Sequence, residues 1–173
     1  NQEDMYNNLI SDCKHYVTID GGSHCGFGNP NTACDFGETT VCLFCNFISR
    51  TEQHNRTFTV LEPWLDFYLK NECNRWNDFQ DALQNTTGVS SLSSCSYELP
   101  QSEFQALGDS SFCPGDSIVL NTSSSLKKTW STNDTNSTLT VKTTGNYFLV
   151  VEDDLQCKDT SRTINVNIFN PSD

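Results

Sequence analysis

The spacing of apolar residues changes near residue 86, and this change divides the chain into two parts of different fold. Before it, apolar residues recur every three or four positions, which is typical of amphipathic helices. After it, short runs of alternating apolar and polar residues are separated by Gly, Asn, Asp and Ser. Alternation of this kind is typical of strands with one buried face. We therefore predict an α/β part followed by a small all-β part.

The first part begins with one strand. The stretch CKHYVTIDGG, residues 13–22, predicts a strand of about six residues closed by Gly21 and Gly22, since glycine readily adopts positive φ. One strand cannot form a sheet by itself. The first part therefore has the pattern of the last piece of a larger α/β fold.

Two or three helices are predicted after the strand. Residues 38–50 carry Val41, Phe44 and Ile48 at helical spacing. Pro63 indicates that the second helix starts at or just before it, or is kinked there, because proline lacks a backbone N–H. The apolar face of that helix consists of Leu61, Trp64, Leu65, Tyr68 and Leu69, and the last helix has Trp76, Phe79 and Leu83 on one side.

The second part predicts five short strands, which is typical of an immunoglobulin-like (Ig-like) β-sandwich. They are DSIVLNT, KKTW, STLTV, NYFLVVEDD and TINVNIF. Trp130 and Tyr147 are expected in the core of this module. The Ser/Thr-rich stretch between the two parts is typical of a linker. The predicted domains are residues 1–86 and 110–170, with a linker over 87–109.

Nine cysteines in 173 residues point to an oxidising compartment. We therefore expect a protein that is secreted or displayed at the cell surface. Spacing leaves the disulfide connectivity open. Our hypotheses are Cys25–Cys34, Cys73–Cys95 and Cys113–Cys157. Seven cysteines precede the β-rich module, so we expect one to be left over for a segment upstream of Asn1.

The charge of the chain excludes two classes of partner. The formal net charge is −12, whereas nucleic acids and anionic lipid surfaces select basic proteins. The most apolar stretches are also far too short for a membrane span. We expect neither a nucleic-acid partner nor a membrane span.

His24 is the candidate catalytic residue because it follows the predicted strand directly. In open α/β sheets, ligands bind beyond the carboxyl ends of the strands. A histidine there can accept a proton from a serine hydroxyl at Nε2 while a carboxylate holds Nδ1–H. In α/β-hydrolases the chain order is serine, acid, histidine, so His24 occupies the place of the last member.

Residues 1–84 resemble the C-terminal end of secreted bacterial α/β-hydrolases of the dienelactone-hydrolase-like and cutinase-like polyester hydrolase group. The carrying motifs are MYNNL, YVTIDGGSHCGF and PWLDFYLKNECNRWNDFQ. The resemblance implies hydrolysis of a carboxylic ester, small or polymeric, by a Ser-Asp-His triad without a cofactor. It implies that His24 is the general base and that Gly21, Gly22 and Ser23 shape its turn.

The resemblance leaves the rest of the triad incomplete. The nucleophile motif G-x-S-x-G occurs nowhere in these residues. Asp4 is the remaining candidate for the acid, and Asp20 is expected to be structural. The chain would then need an upstream hydrolase segment and be inactive alone.

The second part resembles the Ig-like modules at the C-terminal ends of bacterial surface and secreted enzymes. FCPGDSIVL, WSTNDTNSTLTV, TTGNYFLVVEDDLQC and TINVNI carry this resemblance. The family pattern has glycine where this chain has Asn133, and a Gly-Cys pair where it has Gln156 and Cys157. Such modules carry no catalytic residues.

The sequence allows two other interpretations. Cys42 and Cys45, with His24, Cys25 and His54, offer zinc-ligand types, but disulfides fit an oxidising compartment better, so no metal is expected. His15 and His54 are expected to pack or face solvent. The alternative function is a non-enzymatic surface or adhesion protein whose β-rich module binds a partner.

Overall fold

The computed structural model describes residues 2–42 and 44–169, which fall into two compact units divided between Glu98 and Leu99. Asn1 and Asn170, the end residues of the two predicted domains, lie outside the described residues. The protein combines helices with several small, mostly antiparallel sheets. Among the described residues, no helix has both the length and the apolar character needed to cross a membrane.

The described residues of the first unit form four α-helices, a 3-10 turn and a two-stranded ribbon. In chain order these are α1 (Gln2–Asn8), β1 (Cys13–Ile19), the 3-10 turn (Cys25–Phe27), α2 (Thr32–Val41), α3 (Arg50–Lys70), α4 (Arg75–Asn85) and β2 (Val89–Cys95). The predicted strand is thus present as β1, and it ends just before Gly21 and Gly22.

β1 is not a lone strand, because β2 pairs with it along its whole length in antiparallel register. β2 lies in the stretch for which a linker was expected. Its serine-rich sequence, VSSLSSC, has too weak an apolar alternation to predict a strand. A disulfide joins the opposed residues Cys13 and Cys95. Closing a loop of this length lowers the conformational entropy of the unfolded chain, which stabilises the folded state by about 4.5 kcal/mol.

α3 and α4 form the apolar core of the first unit. Phe67 of α3 lies 5.0 Å from Trp76 of α4, measured between ring centroids, and Trp76 lies 5.6 Å from Phe79. All three rings are buried. The predicted face of the last helix is confirmed, since Trp76, Phe79 and Leu83 all point into this core.

Two predicted helix boundaries were wrong. No single helix covers residues 38–50, because α2 ends at Val41 and a disulfide closes the tight loop from Cys42 to Cys45. Leu43 lies outside the described residues, and the Val41 and Phe44 side chains are exposed. The helix start expected at Pro63 was also wrong, whereas the alternative of a kink there stays a prediction. α3 begins at Arg50, where the Ser49 hydroxyl accepts the Glu52 N–H, and it continues through Pro63.

A cluster of charges joins α3 to α4. The Asp66 carboxylate lies 2.7 Å from Lys70 Nζ and 3.2 Å from Arg75 Nε. α3 ends at Lys70, and the next residue, Asn71, adopts the left-handed conformation. The hydrogen bond and charge of Lys70, and then those of Arg75, lower the pKa of Asp66 despite its burial. The carboxylate therefore stays ionised where the two helices meet.

The second unit is built of three three-stranded sheets. The first sheet has the order β3 (Gln105–Leu107), β5 (Ile118–Asn121), β7 (Thr138–Val141). The second has the order β10 (Lys158–Thr160), β9 (Leu149–Glu152), β6 (Lys127–Trp130), and the third has β4 (Ser111–Phe112), β11 (Ile164–Ile168), β8 (Gly145–Tyr147). The five predicted strand segments are all present, and β3, β4 and β10 were not predicted.

Trp130 lies at the centre of the second core. Its side chain is 1% exposed, and its Nε1–H donates to the Asn136 carbonyl at 2.9 Å. Ile118, Leu149 and Val166 surround it in the same cluster and are fully buried. The prediction that Trp130 and Tyr147 are core residues is confirmed.

Two residues of the second unit adopt the backbone conformation that favours glycine. Asn133 has φ +66° and Gln156 has φ +65°. The Asn133 N–H closes a turn on the Trp130 carbonyl at 2.8 Å, and the Gln156 N–H closes one on Asp153 at 3.1 Å. These are the two positions where the resemblance expects glycine, so the turns persist without it.

The structure corrects two of the three disulfide hypotheses. Cys25 and Cys34 are bonded as expected. Cys95 bonds with Cys13 rather than Cys73, because the β1–β2 register places Cys13 directly opposite it. Cys113 is an exposed free thiol on the turn after β4, whereas Cys157 is buried and disulfide-bonded, so these two do not pair.

Candidate functional site

His24 lies on a sharp turn at the end of β1. Gly21 has φ +72°, and a Cβ there would lie 3.0 Å from the Asn46 carbonyl oxygen, so the position requires glycine. The Gly22 N–H donates to the Ile19 carbonyl at 3.0 Å, and this hydrogen bond closes the turn. His24 follows, exposed to solvent, immediately before the 3-10 turn. The strand end and the turn therefore present the imidazole outward.

The buried side chain of Gln53 holds this turn in place. The Ser23 N–H donates to Gln53 Oε1 at 2.9 Å, and Gln53 Nε2 donates to the Ser23 carbonyl at 2.9 Å. Gln53 lies on α3 and its side chain is 0% exposed. One amide therefore satisfies both backbone groups of the residue before His24, as a neighbouring strand would.

Glu38 supports the turn from α2. Its Oε1 accepts the Cys25 N–H at 2.8 Å, and its carboxylate also takes hydrogen bonds from the Ser23 hydroxyl and the His24 N–H. Partial burial acts to raise the pKa of Glu38, but these hydrogen bonds and the charge of His24 outweigh it and lower the pKa. A carboxylate that stays ionised thus holds the backbone on either side of the His24 side chain.

Arg50 and a disulfide fix the far side of the turn. The Arg50 guanidinium donates to the carbonyls of Cys25 and Gly28, and it lies 2.9 Å from the Asp35 carboxylate. The Cys25–Cys34 bond links the 3-10 turn to the first turn of α2. The His24 turn is therefore held by α2, by α3 and by a covalent bond.

The Ser23 hydroxyl is committed to structure. It accepts the Gly26 N–H at 2.9 Å and donates to Glu38. The Ser23 hydroxyl therefore helps to hold the turn, and His24 presents its side chain to solvent.

The second catalytic candidate is Asp4. Asp4 lies on α1, which meets the first part of β1 through Lys14 and through the Tyr6–Tyr16 ring pair. His24 follows the opposite end of that strand. Asp4 as the triad acid stays a prediction. Asp20 lies directly after β1, where its N–H donates to the Gly88 carbonyl at 2.8 Å.

Sequence reasoning missed Gln53, Glu38 and Arg50. Each is a polar residue within a helical pattern, where an exposed position is the ordinary expectation. Their partners lie 13 to 30 residues away along the chain. No local pattern could have found these contacts.

A cavity of about 590 Å³ lies between β1 and α3. Its walls are mainly apolar and include Val17, Ile19, Val60, Trp64 and Phe79. Phe27 of the 3-10 turn also lines it, so the cavity borders the turn that carries His24. Pockets of this size and character commonly bind the apolar parts of small molecules.

His15 and His54 pack as expected. The His15 ring meets Phe79 edge-on, with centroids 4.9 Å apart, and burial lowers its pKa. His54 Nε2 lies 3.2 Å from the Phe27 carbonyl oxygen, on the side of the turn that faces α3. The three cysteines of the proposed zinc ligand set, Cys25, Cys42 and Cys45, are all held in disulfides and offer no thiolate in this structure.

Comparisons with protein-family models, curated proteins and solved structures each find no match to this chain.

Proposed function

We propose that this chain is the C-terminal part of a secreted serine esterase of the α/β-hydrolase class, in which His24 is the general base. The observation that carries the proposal is the construction of the turn. An exposed imidazole lies on the turn that follows β1, while Gln53 and Glu38 fix the backbone on both sides of it. Rigid support of this kind is what a group that must meet a reacting atom requires.

In the proposed reaction His24 moves one proton in each half. It takes the proton from a serine hydroxyl as the serine oxygen bonds to the ester carbonyl carbon. It then gives that proton to the departing alcohol oxygen. In the second half it takes a proton from water, whose oxygen bonds to the acyl carbon, and returns the proton to the serine. The serine and the oxyanion hole must come from polypeptide outside these residues, since G-x-S-x-G is absent from them.

The proposal assigns two further roles. Glu38 acts as a positioning residue, because its carboxylate holds the backbone of the turn and leaves the imidazole free. The cavity beside Phe27 offers space for the apolar part of an ester. The second unit is proposed to be an Ig-like module. Left-handed Asn133 and Gln156 support this, because they keep the two turns at which the resemblance expects glycine.

The experiment uses the native protein from its source. Its mass and peptide map identify all of its polypeptide, and a fluorophosphonate probe labels any activated serine. We expect labelling at a G-x-S-x-G serine, together with ester hydrolysis that His24→Ala abolishes. His54→Ala is the matched control, since His54 contacts the same turn through Phe27, and it should keep activity.

Two results would overturn the esterase proposal. The first is a native protein that carries no G-x-S-x-G serine and takes up no probe. The second is a labelled enzyme that hydrolyses esters equally well after His24→Ala. In the first case the non-enzymatic surface-binding function becomes the better account.

A further inference from the structure

Three potential metal ligands meet at the start of the β1–β2 ribbon. Cys13 and Cys95 face each other across the two strands, and His15 lies two residues along β1 on the same face. The two sulfurs and a ring nitrogen of His15 all lie within 4.8 Å of one another. This cluster is separate from the His24 turn, which follows the other end of β1.

The spacing of sulfur and nitrogen matches a tetrahedral metal site. Zinc bonds thiolate sulfur at about 2.3 Å and imidazole nitrogen at about 2.0–2.1 Å, so a tetrahedral angle places the two ligand atoms about 3.5 Å apart. In the structure, Cys13 Sγ lies 3.6 Å from His15 Nε2. These two atoms therefore need little movement to share one ion.

The imidazole of His15 is already oriented for this role. Its Nδ1 lies 3.0 Å from the hydroxyl oxygen of Ser93, its cross-strand partner. When a metal binds Nε2, the imidazole proton must lie on Nδ1, and the Ser93 oxygen can accept a hydrogen bond from this Nδ1–H. Metal-bound histidines commonly have such an outer partner. The edge-on contact with Phe79 holds the plane of the ring.

In the structure the two sulfurs are bonded to each other, so neither carries the thiolate charge that a metal requires. We propose that reduction of the Cys13–Cys95 disulfide creates a zinc-type metal site formed by Cys13, Cys95 and His15. A dithiol supplies the two electrons and two protons, and it leaves as a cyclic disulfide while two cysteine thiols form. Binding of a divalent ion then releases the two thiol protons.

A second contact supports the thiolate form of Cys13. Tyr68 Oη lies 3.5 Å from Cys13 Sγ, so the hydroxyl can donate to a thiolate sulfur there. Three protein ligands leave the fourth tetrahedral position for water. The site thus has the ligand number of an open zinc centre rather than a closed structural one.

The experiment titrates Co²⁺ into the full chain after reduction with a phosphine. Co²⁺ reports thiolate ligands by charge-transfer absorption and tetrahedral geometry by its visible bands. We expect one such site in the reduced chain and none in the oxidised chain. Cys95→Ser should remove it, whereas Cys45→Ser, which also removes one thiol, should not. Because all disulfides are reduced before the titration, each of the two variants differs from the reduced parent chain by the loss of one thiol only.

The histidine is tested in the same way. His15→Ala should weaken Co²⁺ binding at least about 10-fold and change the visible bands, and Ser93→Ala should weaken it by about 10- to 100-fold. His54→Ala is the matched control and should leave binding unchanged. Equal binding by the Cys95→Ser and Cys45→Ser variants would overturn the proposal, and so would equal spectra for the two histidine variants. Circular dichroism of each reduced variant checks that the comparison is made on folded chains.

Discussion

Replacing Gln53 by alanine should destabilise the first unit much more than an ordinary surface substitution does. Gln53 is fully buried, and its amide makes two hydrogen bonds of 2.9 Å with the backbone of Ser23. Its removal leaves an N–H and a carbonyl without their partner, each at about 1–3 kcal/mol. Ser23 is half-buried, so water can partly replace the amide. We expect the free energy of unfolding to fall by about 2–4 kcal/mol.

The assay is urea denaturation followed by far-ultraviolet circular dichroism at the helical signal. All four described helices belong to the first unit, so this signal reports on it. The matched control is Gln84→Ala, which removes the same type of side chain from an exposed position of α4. We expect the control to change the free energy of unfolding by less than about 0.5 kcal/mol.

A double-mutant cycle with Gly26 sharpens the test. A Cβ on Gly26 would overlap Gln53 Oε1 and lie 2.9 Å from Ser23 Oγ. Gly26→Ala should therefore be costly in the parent chain, because it displaces the Gln53 amide. It should cost less once Gln53 is alanine, with a coupling energy of about 0.5–3 kcal/mol. Equal effects of Gln53→Ala and Gln84→Ala, or strict additivity in the cycle, would refute the bracing role of Gln53.

Three further predictions concern other parts of the fold. The pKa of Asp66 is lowered in the folded chain, so its ion pairs stabilise the fold above the unfolded pKa of about 4 and lose this effect as the pH falls through the folded pKa. Asp66→Asn should therefore destabilise the folded chain at pH 7. In a pH series of thermal melts, the difference in stability between the variant and the parent chain should shrink toward pH 2. Gly88→Ala should destabilise the folded chain, because φ is +72° and the new Cβ would meet the Arg56 guanidinium. Gly37→Ala, in an open helical position, should stabilise the folded chain by about 0.5–1 kcal/mol. Urea titrations in which both substitutions change the free energy of unfolding in the same direction would contradict this. Trp130→Ala should cost about 3–5 kcal/mol, read from unfolding of the second unit by near-ultraviolet circular dichroism, and a loss below 1 kcal/mol would show that Trp130 is not central to that core.

The parts of the fold that could be predicted are those with strong local patterns. Trp76, Phe79 and Leu83 recur at helical spacing, and all are buried in α4 as expected. The alternation around Ile118 and Leu149 likewise predicted strands. The boundary between α2 and α3 was missed, because the Cys42–Cys45 disulfide interrupts a helical spacing that continues through it.

The parts that could not be predicted depend on distant partners. β2 is a serine-rich segment that becomes a strand because β1 and a disulfide hold it. The His24 turn was predicted from its glycines, whereas its supports, Gln53 and Glu38, are polar helix residues like many others. Their role comes from hydrogen bonds to backbone N–H and carbonyl groups that are distant along the sequence, and a local sequence pattern does not reveal such contacts.

The Cys13–Cys95 bond has a consequence for how the chain withstands proteolysis. It closes the backbone into a covalent ring with a sequence separation of 82, and this ring contains the whole His24 turn and three of the four described helices. A protease that cuts once anywhere within the ring releases no fragment, because the two new ends remain tethered through the sulfur bridge. A nicked chain would therefore keep the mass of the intact chain, plus one water, until a reductant opened the ring.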